Sequence, residues 1–309
     1  MTYVDDRVAL KSNRSFMKKF SIRDLERFSG IKAHTIRTWE LRYGVPKPLR
    51  NDGNLRYYSL QEVDAAVNIA ILIRNGNRIS KVSALTPPEI ERRLKHHVTD
   101  EIRKELAIKQ LLIEMYSMDT DAFDATLDTC FLSWPVADVL RLVILPFLEK
   151  VELLWQGRQE AEEHFVVTAI RKKMLWAIER ADDGKRPDRS VLLFLSDTKQ
   201  LDLALLYTQF YLKHHGMKVL NMGNNVSADN LVAVFSKMQP HLVYTYLPKK
   251  ETGKMAGVAA IMKEYLPHAK LVITSRPSPD DFYMEEDNLF HMCYTKALDF
   301  LCGVTRDAE

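Results

Sequence analysis

Glycine is scarce in this chain: 11 in 309 residues, where average usage would give about 20. Few positions therefore let bare backbone approach a phosphate or a cofactor. Neither GxGxxG nor GxxxxGK[ST] occurs, which excludes a standard dinucleotide site and a P-loop. The three cysteines, Cys130, Cys293 and Cys302, form no CxxC pair. A disulfide framework and a cysteine metal site are thereby excluded, and a reducing compartment is expected. No apolar run approaches the ~20 residues that span a bilayer, and the first residues carry no signal-peptide core. The expectation is a cytoplasmic protein with no membrane partner.

What is present is unevenly charged. Residues 1–85 carry 16 Lys+Arg against 8 Asp+Glu, a net of +8, and the remainder carries 28 against 33, a net of −5. A basic end on a mildly acidic body points to an anionic partner for the first part of the chain.

The sequence divides into four stretches. Residues 1–19 read as a polar, basic tail. Residues 20–88 are dense in short helical signals. Leu25 and Phe28 mark a first helix, broken at Ser29-Gly30-Ile31. A second helix runs from His34 to Tyr43, with Ile36 and either Leu41 or Trp39 facing the core. Asn51-Asp52-Gly53-Asn54 is a hairpin signal, and Ser59 is an N-cap with Glu62 at capping-box spacing. Residues 89–182 read as a charged helical connector (89–117) and a helix bundle, with Leu140, Val143, Ile144, Phe147 and Leu148 at helical spacing. Residues 188–309 alternate short apolar runs (Val191–Leu195, Met217–Leu220, Leu242–Tyr246, Leu271–Thr274) with helices. That alternation predicts an α/β domain with a doubly wound parallel sheet of flavodoxin type, its ligand crevice at the carboxyl ends of the strands.

Helix, glycine turn, helix and arginine-rich hairpin together make a winged helix-turn-helix, a DNA-reading unit. Thr35, Arg37 and Thr38 lie near the amino end of the second helix, where side chains reach base edges and the helix terminus favours a phosphate. Arg50 and Arg56 flank the hairpin, within reach of backbone or minor groove.

Phe20-Ser21-Ile22-Arg23-Asp24-Leu25, Gly30-Ile31, His34-Thr35-Ile36-Arg37-Thr38-Trp39-Glu40 and Arg56-Tyr57-Tyr58-Ser59 resemble the MerR family of transcriptional regulators. The resemblance covers about the first quarter of the chain. It implies DNA contacts from Thr35 and Arg37, backbone contacts from Arg42 and Tyr43, and a wing carrying Arg56 and Tyr57. Trp39 to Gly44 (Trp-Glu-x-Arg-Tyr-Gly) resembles the subgroup with a cobalamin-binding sensor, many of whose members are light- or vitamin-responsive repressors.

The carboxyl-terminal half is similar to those sensors and to methionine synthase-like corrinoid modules, with departures. The family's bundle carries a Trp and then a Glu-His pair. Trp155 and Glu163-His164 stand here, two residues closer together, and Gln156 replaces the photoreceptors' upper-ligand His. The family's D/ExHxxG after the first strand aligns with Asp197 to Asp202. Lys199 stands for the cobalt-ligating His, and Asp202 for the Gly. A protonated ammonium has no lone pair for a metal, and the neighbouring Asp197 and Asp202 favour that protonated form. S-x-L after the third strand is met by Thr245-Tyr246-Leu247. Ser275-Arg276 stands where two glycines clear room for the nucleotide tail.

The resulting expectation is a sequence-specific DNA-binding regulator, a repressor and not an enzyme. It acts as a homo-oligomer on an inverted-repeat operator in the bacterial nucleoid. Its cobalamin site at Trp155, Glu163, His164, Asp197, Lys199, Asp202, Thr245, Leu247, Ser275 and Arg276 is expected to be degenerate, with no cofactor and no metal. The carboxyl-terminal domain then serves oligomerisation, a protein partner or another ligand. The alternatives are a cobalamin-responsive, light-responsive repressor and, from another class, a corrinoid-dependent enzyme or carrier module.

Overall fold

The computed structural model describes residues 19–50, 53–96, 99–155, 161–181, 186–196, 202–246, 252–274, 283–286, 288–293, 296–298 and 300–301. The chain divides into two compact units, with the boundary between Val166 and Val167.

The first unit begins with helix α1 (Ile22–Ser29). Ser21 and Asp24 form a reciprocal capping box at its start, and Gly30 ends it at φ 70°. That left-handed turn suits glycine, and it leads into α2 (Ala33–Tyr43). Ile36 and Trp39 are the buried residues of α2, whereas Leu41 is 88% exposed, which settles the open choice between Leu41 and Trp39. The hairpin pairs β1 (Leu49–Arg50) with β2 (Arg56–Tyr57), Arg50 opposite Arg56. Just beyond it, Tyr58 and Phe20 exchange backbone hydrogen bonds of 2.8 and 3.0 Å. Helix α3 (Leu60–Arg74) is capped by Ser59, which accepts from the Glu62 N–H. The expected capping box is incomplete. The Glu62 carboxylate accepts instead from the Lys47 N–H at 2.7 Å, so it pins the wing's approach rather than its own helix.

A short α4 (Ile79–Val82) and α5 (Pro87–His96) follow, then α6 (Asp100–Ser117). The connector read from residues 89–117 is more than a spacer. Ile102, Ile108, Leu111, Leu112 and Met115 of α6 are buried, because its charged residues occupy one face and leave an apolar stripe for the core. Helices α7 (Thr120–Ser133) and α8 (Val136–Val139) lead into a π-helical turn, Leu140–Ile144, and then α9 (Leu145–Trp155). The apolar spacing at 140–148 does not distinguish this wider turn from α-helix. Helix α10 (Ala161–Arg180) carries the unit boundary.

Two edge-to-face aromatic pairs, made by Tyr116 with Phe20 and Phe28, join the helix-turn-helix to α6, and the two phenylalanines also meet edge to face. Phe20, Phe28 and Tyr116 have centroids 5.1 to 5.8 Å apart. Lys109 of α6 reaches Asp64 at 2.8 Å and Asn68 at 3.0 Å on α3.

The second unit is a six-stranded sheet in the order β4-β3-β5-β6-β8-β7. The strands are β3 (Arg186–Phe194), β4 (Met217–Asn221), β5 (Leu242–Tyr246), β6 (Lys270–Thr274), β7 (Tyr283–Glu286) and β8 (Leu289–Met292). Pairing is parallel as far as β8, and β7 is antiparallel to it. The four strands expected from the sequence pair in parallel, and β7 adds an antiparallel edge beside β8. Asn288 turns directly from β7 to β8, and so short a link permits only an antiparallel return.

Side chains alternate between two cores. Leu193, Tyr244 and Val272 pack with Leu205 and Leu212 of α11 (Asp202–His214). Leu192, Val243 and Ile273 pack with Phe235 of α12 (Ala228–Phe235) and Met262 of α13 (Thr252–Tyr265). Helices therefore cover both faces, as a doubly wound sheet requires.

Candidate nucleic-acid interface and ligand crevice

The residues expected to read DNA fall on α2 and the wing of the first unit. Helix α2 presents Arg37, Thr38, Leu41 and Arg42 to solvent, with Thr35 and Tyr43 half-buried. The wing adds exposed Arg50 and Arg56 and half-buried Tyr57, over whose ring Lys19 sits at 4.8 Å. The Thr38 hydroxyl donates to the His34 carbonyl at 3.0 Å, leaving its lone pairs to face a donor. Arg50 donates to the Asn54 side chain, which holds the guanidinium at the hairpin.

The amino end of α2 is already partly satisfied. Its Ala33 N–H donates to the Glu26 carboxylate at 3.2 Å, and Lys32 pairs with the same side chain at 3.5 Å. An anion from α1 thus stands where a DNA phosphate was expected, for the same dipole reason that would favour the phosphate.

Sequence reasoning did not find the residues that orient this surface. The buried Tyr58 hydroxyl donates to Glu40, and Arg56 pairs with the same carboxylate at 3.6 Å. Burial, then Glu40, raises the Tyr58 pKa above its ordinary value, so the phenol stays protonated. At the glycine turn, Arg74 donates to the Ser29 carbonyl at 2.7 Å and to Glu105 at 3.0 Å. Lys150 of α9 donates to the neighbouring Phe28 carbonyl at 3.5 Å, its pKa lowered by burial and by Arg74. Two cations therefore cap the carboxyl end of α1, where the dipole favours positive charge. No sequence motif announces them, because each partner lies far along the chain.

In the second unit the chain leaves β3 toward β4 on one side and returns to β5 on the other. The strand order reverses there, the point at whose carboxyl ends doubly wound sheets generally take their ligands. Thr245 is fully buried at that end, paired in register with Phe194, and its hydroxyl has no hydrogen-bond partner among the described residues. The Ser196 hydroxyl, two residues past Phe194 on the adjacent strand, is likewise without one. Beside them, the Tyr244 hydroxyl shares a buried hydrogen bond of 2.9 Å with Thr274, and burial pushes its pKa up to about 12. Only Thr245 of the pair was anticipated; Ser196 carries no signature beyond its place after a strand. A cavity of about 710 Å³ between α13, β6 and β8, lined by Met262, Leu271 and Leu289, sits at the other end of the strands.

Of the remaining expected ligand residues, Glu163 is half-buried, and burial raises its pKa against the pull of His164. His164 is exposed. Asp197, Lys199, Leu247, Ser275 and Arg276 lie outside the described residues, as do the side chains of Trp155 and Asp202. Among the described residues no group of three or more His, Cys, Asp or Glu is arranged to hold a metal, and no helix is long and apolar enough to cross a membrane.

Residues 20–87 match the family model described as MerR HTH family regulatory protein. That match covers the helix-turn-helix and wing alone. The chain is 26% identical to the HTH-type transcriptional repressor CarA of Myxococcus xanthus over 224 residues, 72% of this chain and 74% of CarA. It is 25% identical to CarH of the same organism over 224 residues, 70% and 74%. It is also 35% identical to the HTH-type transcriptional regulator MlrA of Salmonella typhimurium over 69 residues, 22% and 28%. Among solved structures, the Methanosarcina barkeri monomethylamine corrinoid protein aligns with a TM-score of 0.48 and 13% identity, covering 65% of this chain and 96% of its own. The MerR match lies on the helix-turn-helix and wing of the first unit, and the second unit is the doubly wound α/β sheet described above.

These likenesses correct the expectation of a cobalamin-independent regulator with no cofactor. Similarity to CarA and CarH runs far past residue 87 into the sensor half. The crevice residues that are described fit a corrinoid, since a buried threonine hydroxyl without a partner costs stability unless a ligand satisfies it.

Proposed function

We propose that this protein is a cobalamin-responsive transcriptional repressor that binds an inverted-repeat operator as a homo-oligomer, in the cytoplasm at the nucleoid. The observation that supports the sensor reading is that the Thr245 and Ser196 hydroxyls, at the reversal point of the sheet, have no hydrogen-bond partner among the described residues. They would hold the corrinoid's polar tail. Within the helical bundle, Trp155, Glu163 and His164 are proposed as ligand-contact residues. When bound, an alkylcobalamin would supply a light-sensitive cobalt–carbon bond.

Position 199 carries lysine, whose ammonium offers the metal no lone pair. Retention of the group would therefore rest on hydrogen bonds and burial rather than on a metal ligand from position 199. Arg37, Thr35 and Thr38 read the operator, while Arg42, Tyr43, Arg50, Arg56 and Tyr57 hold its backbone. Phosphate contacts make affinity fall steeply with salt.

The test is an absorption spectrum after incubation with adenosylcobalamin and desalting, beside gel shifts with and without it. A retained corrinoid band and a cobalamin-dependent change in operator occupancy are expected. A colourless protein after desalting would overturn the sensor reading.

A further inference from the structure

Among the described residues eight large apolar side chains are exposed, and three of them, Leu41, Leu49 and Leu55, fall in the recognition helix and wing. Leu41 is bare to 88%. Isolated surface leucines are ordinary, but this one lies on the DNA-reading face. Arg37 and Thr38 precede it by four and three residues, so all three share one stripe of α2. Arg42 follows it directly, and Ile36 and Trp39 fix the opposite face in the core. Glu40, tied to Tyr58 and Arg56 of the wing, prevents α2 from rolling Leu41 inward.

An apolar side chain ringed by arginines suits a polyanion that offers an apolar group at the same place. In the major groove only thymine does so, through its 5-methyl group. A second protein copy would have to bury those guanidinium groups unpaired. We infer that Leu41 is a specificity residue that reads a thymine methyl one helical turn beyond the Arg37 contact. The inference rests on the DNA-binding reading and goes beyond it by naming the base.

The test begins with selection of bound duplexes from a random pool by the full-length protein. Each selected thymine is then replaced by uracil, which removes the methyl and leaves every hydrogen-bonding group. At one position per half-site the wild type is expected to lose about fourfold in affinity, the worth of one buried methyl, and Leu41→Ala is expected to bind both forms equally. Leu41→Met should restore the discrimination, and unchanged thermal melting of the variants shows that the fold is intact. A uracil effect equal in wild type and Leu41→Ala, or absent at every position, would overturn the inference alone. A pool that yields no enriched duplex would overturn the DNA reading and the inference together.

Discussion

The Tyr58 hydroxyl donates to the Glu40 carboxylate, joining the strand end beyond the wing to the middle of the recognition helix. Arg56 takes the other oxygen of the same group. Removing the hydroxyl with Tyr58→Phe leaves a largely buried carboxylate with one partner fewer. A hydrogen bond to a charged group is worth about 1.5–3 kcal/mol, and a loss of that size is expected in urea unfolding of the full chain. Operator affinity should also fall, because the angle between wing and helix is no longer fixed. A variant with native stability and native affinity would show that the contact orients nothing.

Arg37→Ala should weaken operator binding by ~1–3 kcal/mol, about tenfold or more. The loss should depend on sequence, whereas Arg56→Ala should weaken all duplexes alike and lower the salt dependence. Gel shifts on specific and scrambled duplexes at two salt concentrations distinguish the two behaviours.

Glu114 is buried in α6, and both of its donors, Gln110 at 2.8 Å and Thr126 at 2.9 Å, use the same oxygen. The other oxygen has no partner among the described residues. Burial raises its pKa above the ordinary carboxyl value. The folded state therefore holds the proton more tightly than the unfolded state does. The ionised group costs stability as pH rises through the unfolded and then the folded value, and that cost is absent below both. Glu114→Gln is expected to be more stable than wild type at pH 7 by about 1 kcal/mol, with the advantage fading as pH falls into the ordinary carboxyl range. Parallel thermal melts across that range are the check.

Thr245→Val replaces a buried, partnerless hydroxyl with a methyl of similar size. Stability of the apoprotein should stay level or rise by up to ~1 kcal/mol, while retention of adenosylcobalamin after desalting should fall. Such a divergence marks a residue kept for ligand rather than fold. A parallel fall of both would assign Thr245 to packing.

Much of this architecture is legible in the sequence because it is local. The glycine at position 30, the hairpin at 51–54 and the apolar runs at 191–195 and 242–246 each report on their own neighbourhood. What escapes is long-range. Glu62 has correct capping-box spacing, yet its carboxylate is drawn 15 residues back to Lys47. Leu41 and Trp39 are equally apolar, and only packing against α1 decides which is buried. The hydroxyl of Thr245 comes to lie opposite Phe194 only when β3 and β5 pair, and no local pattern announces that.

The aromatic trio of Phe20, Phe28 and Tyr116 places a seam inside what sequence comparison treats as a separable cassette. The family match stops at residue 87, but the rings that close the back of the helix-turn-helix, and the lysine beneath its turn, come from residues 116 and 150. Grafting the first 87 residues onto a foreign sensor would strand two phenylalanines in water and leave the Phe28 carbonyl without its cation. In this protein, exchange of parts has to cut after α9, so reader and helical bundle are inherited together.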